Sequence, residues 1–287
     1  MSLRLTLPQL ALGLGPGLAG ALLGVLLGFD VLDGPAAITA AVTLWCAIWW
    51  LTEPVPIPVT SLLPMALFPL LGVITPTQVA QSYGSPLILL LLGGFMLSGA
   101  LAKCGAHRRL ALVMIQASSR LGQKGLVLGF MLAAAGLSMW ISNTATTLML
   151  LPIALAVLEN DRLKPLTIPL LLGTAYASSL GGTGTPIGTP PNLIYMQVSQ
   201  DQFGVATSFP VWMSFGVPVV VLLLPLMFLW LTRHVASGAL PKLDPPGRWQ
   251  VAEIRVLIVF ALTALAWMTR AAPWGGWSGR GAVGARP

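Results

Sequence analysis

The sequence predicts an all-α polytopic membrane protein, and three observations carry that prediction. Hydrophobic residues make up 56% of the 287-residue chain and charged residues only 8%, whereas a typical soluble domain carries about 25% charged residues. The charges fall between long uncharged intervals, several of which reach the roughly 20 residues that a helix needs to cross a bilayer. The net charge of +7 is scattered between those intervals, so it reflects membrane topology and predicts no nucleic-acid partner. Cys46 and Cys104 sit in or beside different apolar segments without CxxC spacing. They read as packing residues, with neither a disulfide framework nor a zinc site predicted.

The uncharged intervals are 5–29, 34–52, 54–102, 125–158, 165–200, 202–232 and 256–269. The first follows Arg4 and alone would pass for a signal peptide, but further apolar runs follow, and it reads as a retained first span. The second interval is one span. The third holds two, near 55–75 and 84–103, divided by the turn-forming Thr75-Pro76-Thr77. Pro54, Pro56 and Pro58 shape a tight turn before the third span, and Gly93-Gly94 reads as a close-packing point in the fourth.

Lys103, Arg108, Arg109, Arg120 and Lys124 bracket residues 110–118, a segment too short to span that reads as an amphipathic surface helix. The positive-inside rule places this cluster in the cytoplasm. Four earlier spans then put Arg4 and the N-terminus inside, with Asp30 and Asp33 outside. Arg162 and Lys164 take the cytoplasmic side, as do Arg233, Lys242, Arg248 and Arg255, while Asp201 lies outside. Interval 125–158 must therefore enter and leave on one side, as a re-entrant helical hairpin. Its middle is polar, with Ser138, Ser142, Asn143, Thr144, Thr146 and Thr147 near the expected tip.

Interval 165–200 crosses, but Gly181-Gly182-Thr183-Gly184-Thr185-Pro186 and the run from Gly188 to Asn192 interrupt it, so it reads as a broken helix. A helix over 210–232, a cytoplasmic loop over 233–253 and a span over 254–270 complete the pattern. His107 and His234 fall in loops and read as solvated. Trp45, Trp49, Trp50, Trp140, Trp274 and Trp277 read as interfacial anchors.

Non-helical backbone at membrane depth is tolerated only where protein buries it or a watery cavity receives it, so the two breaks point to a site. Asn143 and Thr144 stand where the second arm of the hairpin begins, as N-cap-type residues. Pro190 and Pro191 suit a first helical turn. Each helix start offers amide donors and a positive dipole end, and two such starts can hold an anion's carboxylate. Ser138, four residues before Ser142 on the same helix face, could join the Asn143 side-chain oxygen and a Gly188 carbonyl in a cage for sodium. Hydroxyls and amides also bond across packed helices. On Ser142-Asn143-Thr144 alone the two readings stand level, and the break at Gly188 to Asn192 tips the balance toward a site. No ionisable residue occupies the centre of any interval, and Glu53 lies at an apparent cytoplasmic end, which favours sodium over protons as the coupling ion.

Trp140-Ile141-Ser142-Asn143-Thr144-Ala145-Thr146 and Ile187-Gly188-Thr189-Pro190-Pro191-Asn192 resemble the divalent anion:sodium symporters, in content and order, with the likeness covering roughly residues 9 to 278. The resemblance implies the first inverted repeat of an elevator-type carrier. Residues 1–124 would supply scaffold helices and the cytoplasmic surface helix, residues 125–232 the transport-type segment, and residues 254–270 the start of a second repeat. It also implies a sodium site from Ser138, Ser142, Asn143 and Gly188, and carboxylate contacts from Asn143, Thr144 and Thr189. Na+ would be the only cofactor, and the protein would be no enzyme. Small divalent anions would be the substrates, C4-dicarboxylates such as succinate and malate foremost, carried by a homodimer in the cell membrane. A related permease for sulfate, citrate or arsenite, or a non-transporting membrane interaction protein, stays open.

The pattern departs from the family at the end of the chain. Ser-Asn-Thr occurs once, and after Gly276-Trp277-Ser278 the stretch 279–287 looks like a polar, out-of-frame tail. The expectation is an incomplete gene product that holds half a binding site and does not transport alone.

Overall fold

The computed structural model describes residues 6–236, 238, 240 and 247–270. Arg4, Lys242, Trp274, Gly276-Trp277-Ser278 and the 279–287 tail lie outside the described residues. Every regular element among the described residues is helical, and residues 1–85 and 86–287 form two compact units.

The first unit begins with α1 (Leu7–Gly28) and α2 (Gly34–Thr52). Asp33 caps α2 by accepting from the Ala36 amide, and Glu53 ends it in the left-handed region at φ 46°. Ala11, Gly15 and Ala19 are the buried residues of α1. This stripe of small residues at four-residue spacing lets a second helix approach closely. Trp49 fills the approach, donating from Nε1 to the Ala11 carbonyl at 3.0 Å, while Trp45 meets Trp49 edge to face at 5.3 Å. Trp45 and Trp49 thus pack a helix pair instead of serving as interfacial anchors.

The third predicted span differs from expectation. Residues 55–75 hold two short helices, α3 (Ile57–Ser61) and α4 (Leu63–Leu70), joined at Leu62. Pro64 lacks the amide that would bond back to the Thr60 carbonyl, and Cys46 Sγ takes that carbonyl instead, at 3.8 Å. Next comes α5 (Pro76–Tyr83), opened by a capping box between Thr75 and Gln78. Tyr83 Oη donates to the Ser61 carbonyl at 2.9 Å and ties α5 to the end of α3.

The second unit opens with α6 (Pro86–Cys104), the fourth predicted span. The predicted surface helix is α7 (Ala106–Ser119), which starts four residues earlier than the sequence indicated because Gly105 takes φ 78°. It then buries Ala106, Ala111 and Ile115. Its partner is α8 (Gly122–Ser138), where a Cβ on Gly125 would lie 2.1 Å from the Ser118 carbonyl oxygen and one on Gly129 2.8 Å from Ile115 Cα. The helices α9 (Asn143–Leu158), α10 (Thr167–Gly182), α11 (Pro190–Phe203), α12 (Phe209–Thr232) and α13 (Val251–Thr269) follow, with a 3₁₀ turn over Asp161–Leu166.

The core of this unit centres on α8, whose Leu126, Val127, Phe130, Met131, Ala133 and Ala134 are fully enclosed. Exposed apolar residues such as Val221, Leu222, Leu226 and Leu229 instead cover α12, the surface a helix presents to lipid. Five helical stretches among the described residues are long and apolar enough to cross a bilayer, Leu7–Gly28, Gly34–Thr52, Pro76–Cys104, Phe209–Thr232 and Val251–Thr269. The protein is a multi-pass integral membrane protein.

Candidate functional site

Two interruptions of helical backbone meet in the second unit. The first is 139–142, between α8 and α9. Ser142 is the N-cap of α9, its Oγ accepting from the Ala145 amide at 3.2 Å. Asn143 and Thr144 are therefore the first and second helical residues and not the caps. Ser138 is the last residue of α8, so Ser138 and Ser142 do not share a helix face. The helix stops between them, and Ser138 meets the next residue instead, donating from Oγ to Asn143 Oδ1 at 2.6 Å.

The second interruption is 183–189, between α10 and α11. Thr189 is the N-cap of α11 and makes no side-chain capping bond, and Pro190 and Pro191 occupy the first turn, where a missing amide costs little. Asn192 is buried and donates from Nδ2 to the carbonyls of Gly182 and Thr185, each at 2.8 Å. One amide side chain thereby holds the last carbonyl of α10 and the middle of the loop. Thr185 donates from Oγ1 to the Met139 carbonyl, which stitches the loop to the turn of the first interruption. Trp212 Nε1 donates to the Thr183 carbonyl at 2.9 Å and fixes the loop to α12.

Glycines set the contact between the two interruptions. A Cβ on Gly181 would fall 2.2 Å from the Ala135 carbonyl oxygen, so α8 and α10 touch backbone to backbone. One on Gly182 would fall 2.4 Å from Asn143 Oδ1, and one on Gly188 2.4 Å from the Gly182 carbonyl oxygen. Ser138, Asn143, Gly182 and Gly188 thus form one contiguous contact. Ser142 stands at the same turn, half-buried, while Thr144, Pro190 and Pro191 are exposed. The first two amides of α9, those of Asn143 and Thr144, have no partner within the helix, while Ser142 takes that of Ala145. Contrary to expectation α11 offers none, since Pro190 and Pro191 have no N–H and the Asn192 amide bonds to the Thr189 carbonyl at 3.2 Å, so its start contributes only the positive end of its dipole. Among the described residues no three His, Cys, Asp or Glu gather as metal ligands. The donors at this contact are neutral oxygens and amides, which suit a hard monovalent cation and an anionic group.

The sequence reading missed Thr185, Asn192 and Trp212 as the residues that hold the loop. The Asn192 signal was present, as a polar residue directly after two prolines at a helix start. Partners for Thr185 and Trp212 lie 46 and 29 residues away, beyond any local pattern.

Two further expectations change. Trp140 packs inside, stacked on Phe209 at 6.2 Å and edge-on to Phe260 at 5.1 Å, instead of lying at an interface. His107 is half-buried, its Nδ1 donating to the Leu101 carbonyl at 2.8 Å, whereas His234 is exposed beside Arg233. A cavity of about 260 Å³ lies between His107, Leu110, Met114, Leu137, Trp140 and Phe260. Its walls are almost wholly apolar, so it does not suit an anion.

Comparison with known proteins points the same way. Residues 47–284 match the citrate transporter (CitMHS) family model. The chain is 38% identical over 290 aligned positions to the sodium-dependent dicarboxylate transporter SdcS of Staphylococcus aureus strains USA300, NCTC 8325 / PS 47 and COL. The alignment covers 89% of this chain and 55% of each transporter, so the chain spans about half the length of the curated relatives it matches.

Proposed function

Because the protein belongs to the citrate transporter family, as its resemblance to the divalent anion:sodium symporters led us to expect, we propose that it is a sodium-coupled carrier of small divalent anions. C4-dicarboxylates such as succinate and malate are the foremost substrates. The observation that carries this reading is the contact of two helix starts, at Asn143 and at Gly188 to Asn192, with neutral oxygens of Ser138, Asn143 and Gly182 gathered at it. Sodium-dependent dicarboxylate transport by SdcS supports the choice of ion and substrate class. Its relatives are transporters, in agreement with the expectation that this chain is not an enzyme.

In this reading Ser138, Ser142, Asn143 and the Gly188 carbonyl hold Na+. Asn143 is shared, its amide group turned to the anion, whose carboxylate is met by Thr144, Thr189 and the free backbone amides at the start of α9. A bound cation beside the anion lowers the cost of placing both in a low-dielectric site, which couples one binding event to the other. The segment 125–232 would move as the transport part of a homodimeric elevator-type carrier against the preceding helices. The close packing of α7 on α8 through Gly125 and Gly129 makes α7 travel with α8, so we place the working boundary at the Gly105 turn and not at residue 124.

The test is ligand-dependent melting of the purified protein. Succinate should raise the melting temperature in Na+ and leave it unchanged in choline, and Asn143→Ala should remove the response. If succinate, malate, citrate and sulfate all leave the melting temperature unchanged in Na+, the proposal fails. Citrate is the second substrate reading, since the family model bears that name, and the same panel ranks it against succinate.

A further inference from the structure

Hydroxyls on the transmembrane helices of this protein almost always bond back to the carbonyl one turn earlier. Thr147 donates to Asn143, Thr174 to Leu170 and Thr232 to Phe228, at 2.9, 2.7 and 2.7 Å. Such local bonds satisfy a buried hydroxyl without help from another helix. Thr60 in the first unit, and Thr146 and Ser178 together in the second, break the pattern. Thr146 and Ser178 are 1% and 0% exposed, and neither hydroxyl has a hydrogen-bond partner among the described residues. An orphaned hydroxyl in an apolar interior is destabilising, so two of them in one region need a reason.

Their position supplies it. The helix α9 runs away from the 139–142 turn, and α10 runs back toward it. The contact between Asn143 and Gly182 sets the register of this antiparallel pair. Thr146 lies three residues beyond Asn143 on the same face, and Ser178 four residues before Gly182 on the same face. At 1.5 Å per residue both sit about 4.5–6 Å below the contact. The two orphaned hydroxyls therefore share one layer, directly beneath Ser138, Asn143 and Gly182.

The upper layer alone offers an ion few side-chain oxygens, because Asn143 Oδ1 and Ser142 Oγ each have one of their two lone pairs engaged and only Ser138 Oγ keeps both. Ser138 already donates to Asn143 Oδ1, and Ser142 Oγ already accepts from the Ala145 amide. Resting on the sodium reading above, we propose that the hydroxyls of Thr146 and Ser178 are further ligands of that ion. They close its site from below, directly or through one water. The ion then has oxygens from α8, α9, α10 and the 183–189 loop, so it draws together the elements around the anion-binding amides. A buried water alone could satisfy the same two hydroxyls, and the experiment separates the two cases.

Na+ alone, in a choline background of constant ionic strength, is titrated against the melting temperature of the purified protein, without any anion. The wild type should show a rise that follows ln(1 + c/Kd), with c the Na+ concentration, from which the half-saturating Na+ concentration is fitted. Thr146→Val and Ser178→Ala should each raise the half-saturating Na+ concentration about tenfold or more, while Thr146→Ser keeps it near the wild-type value. The fitted value comes from the Na+ concentration at which the rise begins and not from the baseline melting temperature, so a merely structural loss lowers the whole curve without moving that onset tenfold. If Thr146→Val does not fold, Ser178→Ala decides, because it removes one atom and leaves the packing surface nearly intact. Unchanged half-saturation in Ser178→Ala and Thr146→Val, with the response lost in Asn143→Ala, overturns this inference and leaves the carrier reading standing. Equal weakening by Thr146→Ser and Thr146→Val also overturns it. A wild type that melts identically in Na+ and choline overturns both.

Discussion

The pair α1–α2 and the pair α8–α10 both close over glycine, but what enters the gap differs. At Gly15 a Cβ would meet the indole of Trp49, 2.4 Å from Nε1 and 2.7 Å from Cδ1. At Gly181 it would meet backbone, 2.2 Å from the Ala135 carbonyl oxygen and 2.6 Å from its Cα. A side chain can rotate or shift to make room, whereas two helix backbones can only move apart. The first pair is a join that tolerates adjustment. The second fixes the height of Ser138 against Gly182, and through it the geometry of the candidate site.

The largest expected effect comes from forcing that second join. Gly181→Ala should cost about 3 kcal/mol or more, at the upper end for overpacking a close contact. It should also abolish the sodium response, because α8 and α10 carry opposite walls of the site. Melting curves in Na+ and in choline check both parts, and a Gly181→Ala protein with an intact sodium response would break the comparison. Gly15→Ala should cost less, about 1 kcal/mol, with half-saturating Na+ unchanged. Trp49→Phe sharpens the contrast further. It removes the bond to the Ala11 carbonyl, worth roughly 0.6 kcal/mol between helices in a membrane, and the small melting shift should again leave sodium untouched.

Much of this architecture was legible in the sequence because the bilayer imposes a length and polarity rule that a single chain reveals. The C-terminal ends of α1, α2, α6, α12 and α13 fall within two residues of the ends of uncharged intervals. The third span was misread for a local reason: its composition satisfies the rule, but Pro64 removes the bond that would carry a helix through Leu62. The two breaks were legible for the opposite reason, since polar and glycine-rich backbone inside an apolar interval needs an explanation. Ser138 and Ser142 were assigned to one face because helical spacing was assumed across a point where the helix ends.

Contacts between distant segments were not legible at all. Nothing near Asn143 in the sequence predicts that its side chain rests on Gly182, and nothing near Met139 predicts the Thr185 bond. Trp45, Trp49 and Trp140 show the same limit. Tryptophan in a membrane protein favours the interface on average, but a facing glycine or a pair of phenylalanines overrides that average, and only the fold brings them together.

The ion pair between Arg109 and Glu253 has a consequence in time. Arg109 Nε lies 2.8 Å from Glu253 Oε1 and Oε2, its guanidinium reaches the Gly247 carbonyl and stands over the Trp249 ring, and its partner is 144 residues further along the chain. A ribosome adding about 5–20 residues per second needs on the order of ten seconds to make that stretch. Throughout that interval Arg109 is without the carboxylate that pairs with it in the folded protein, until α13 emerges. The last helix described thus supplies the charge that completes the surroundings of an early one.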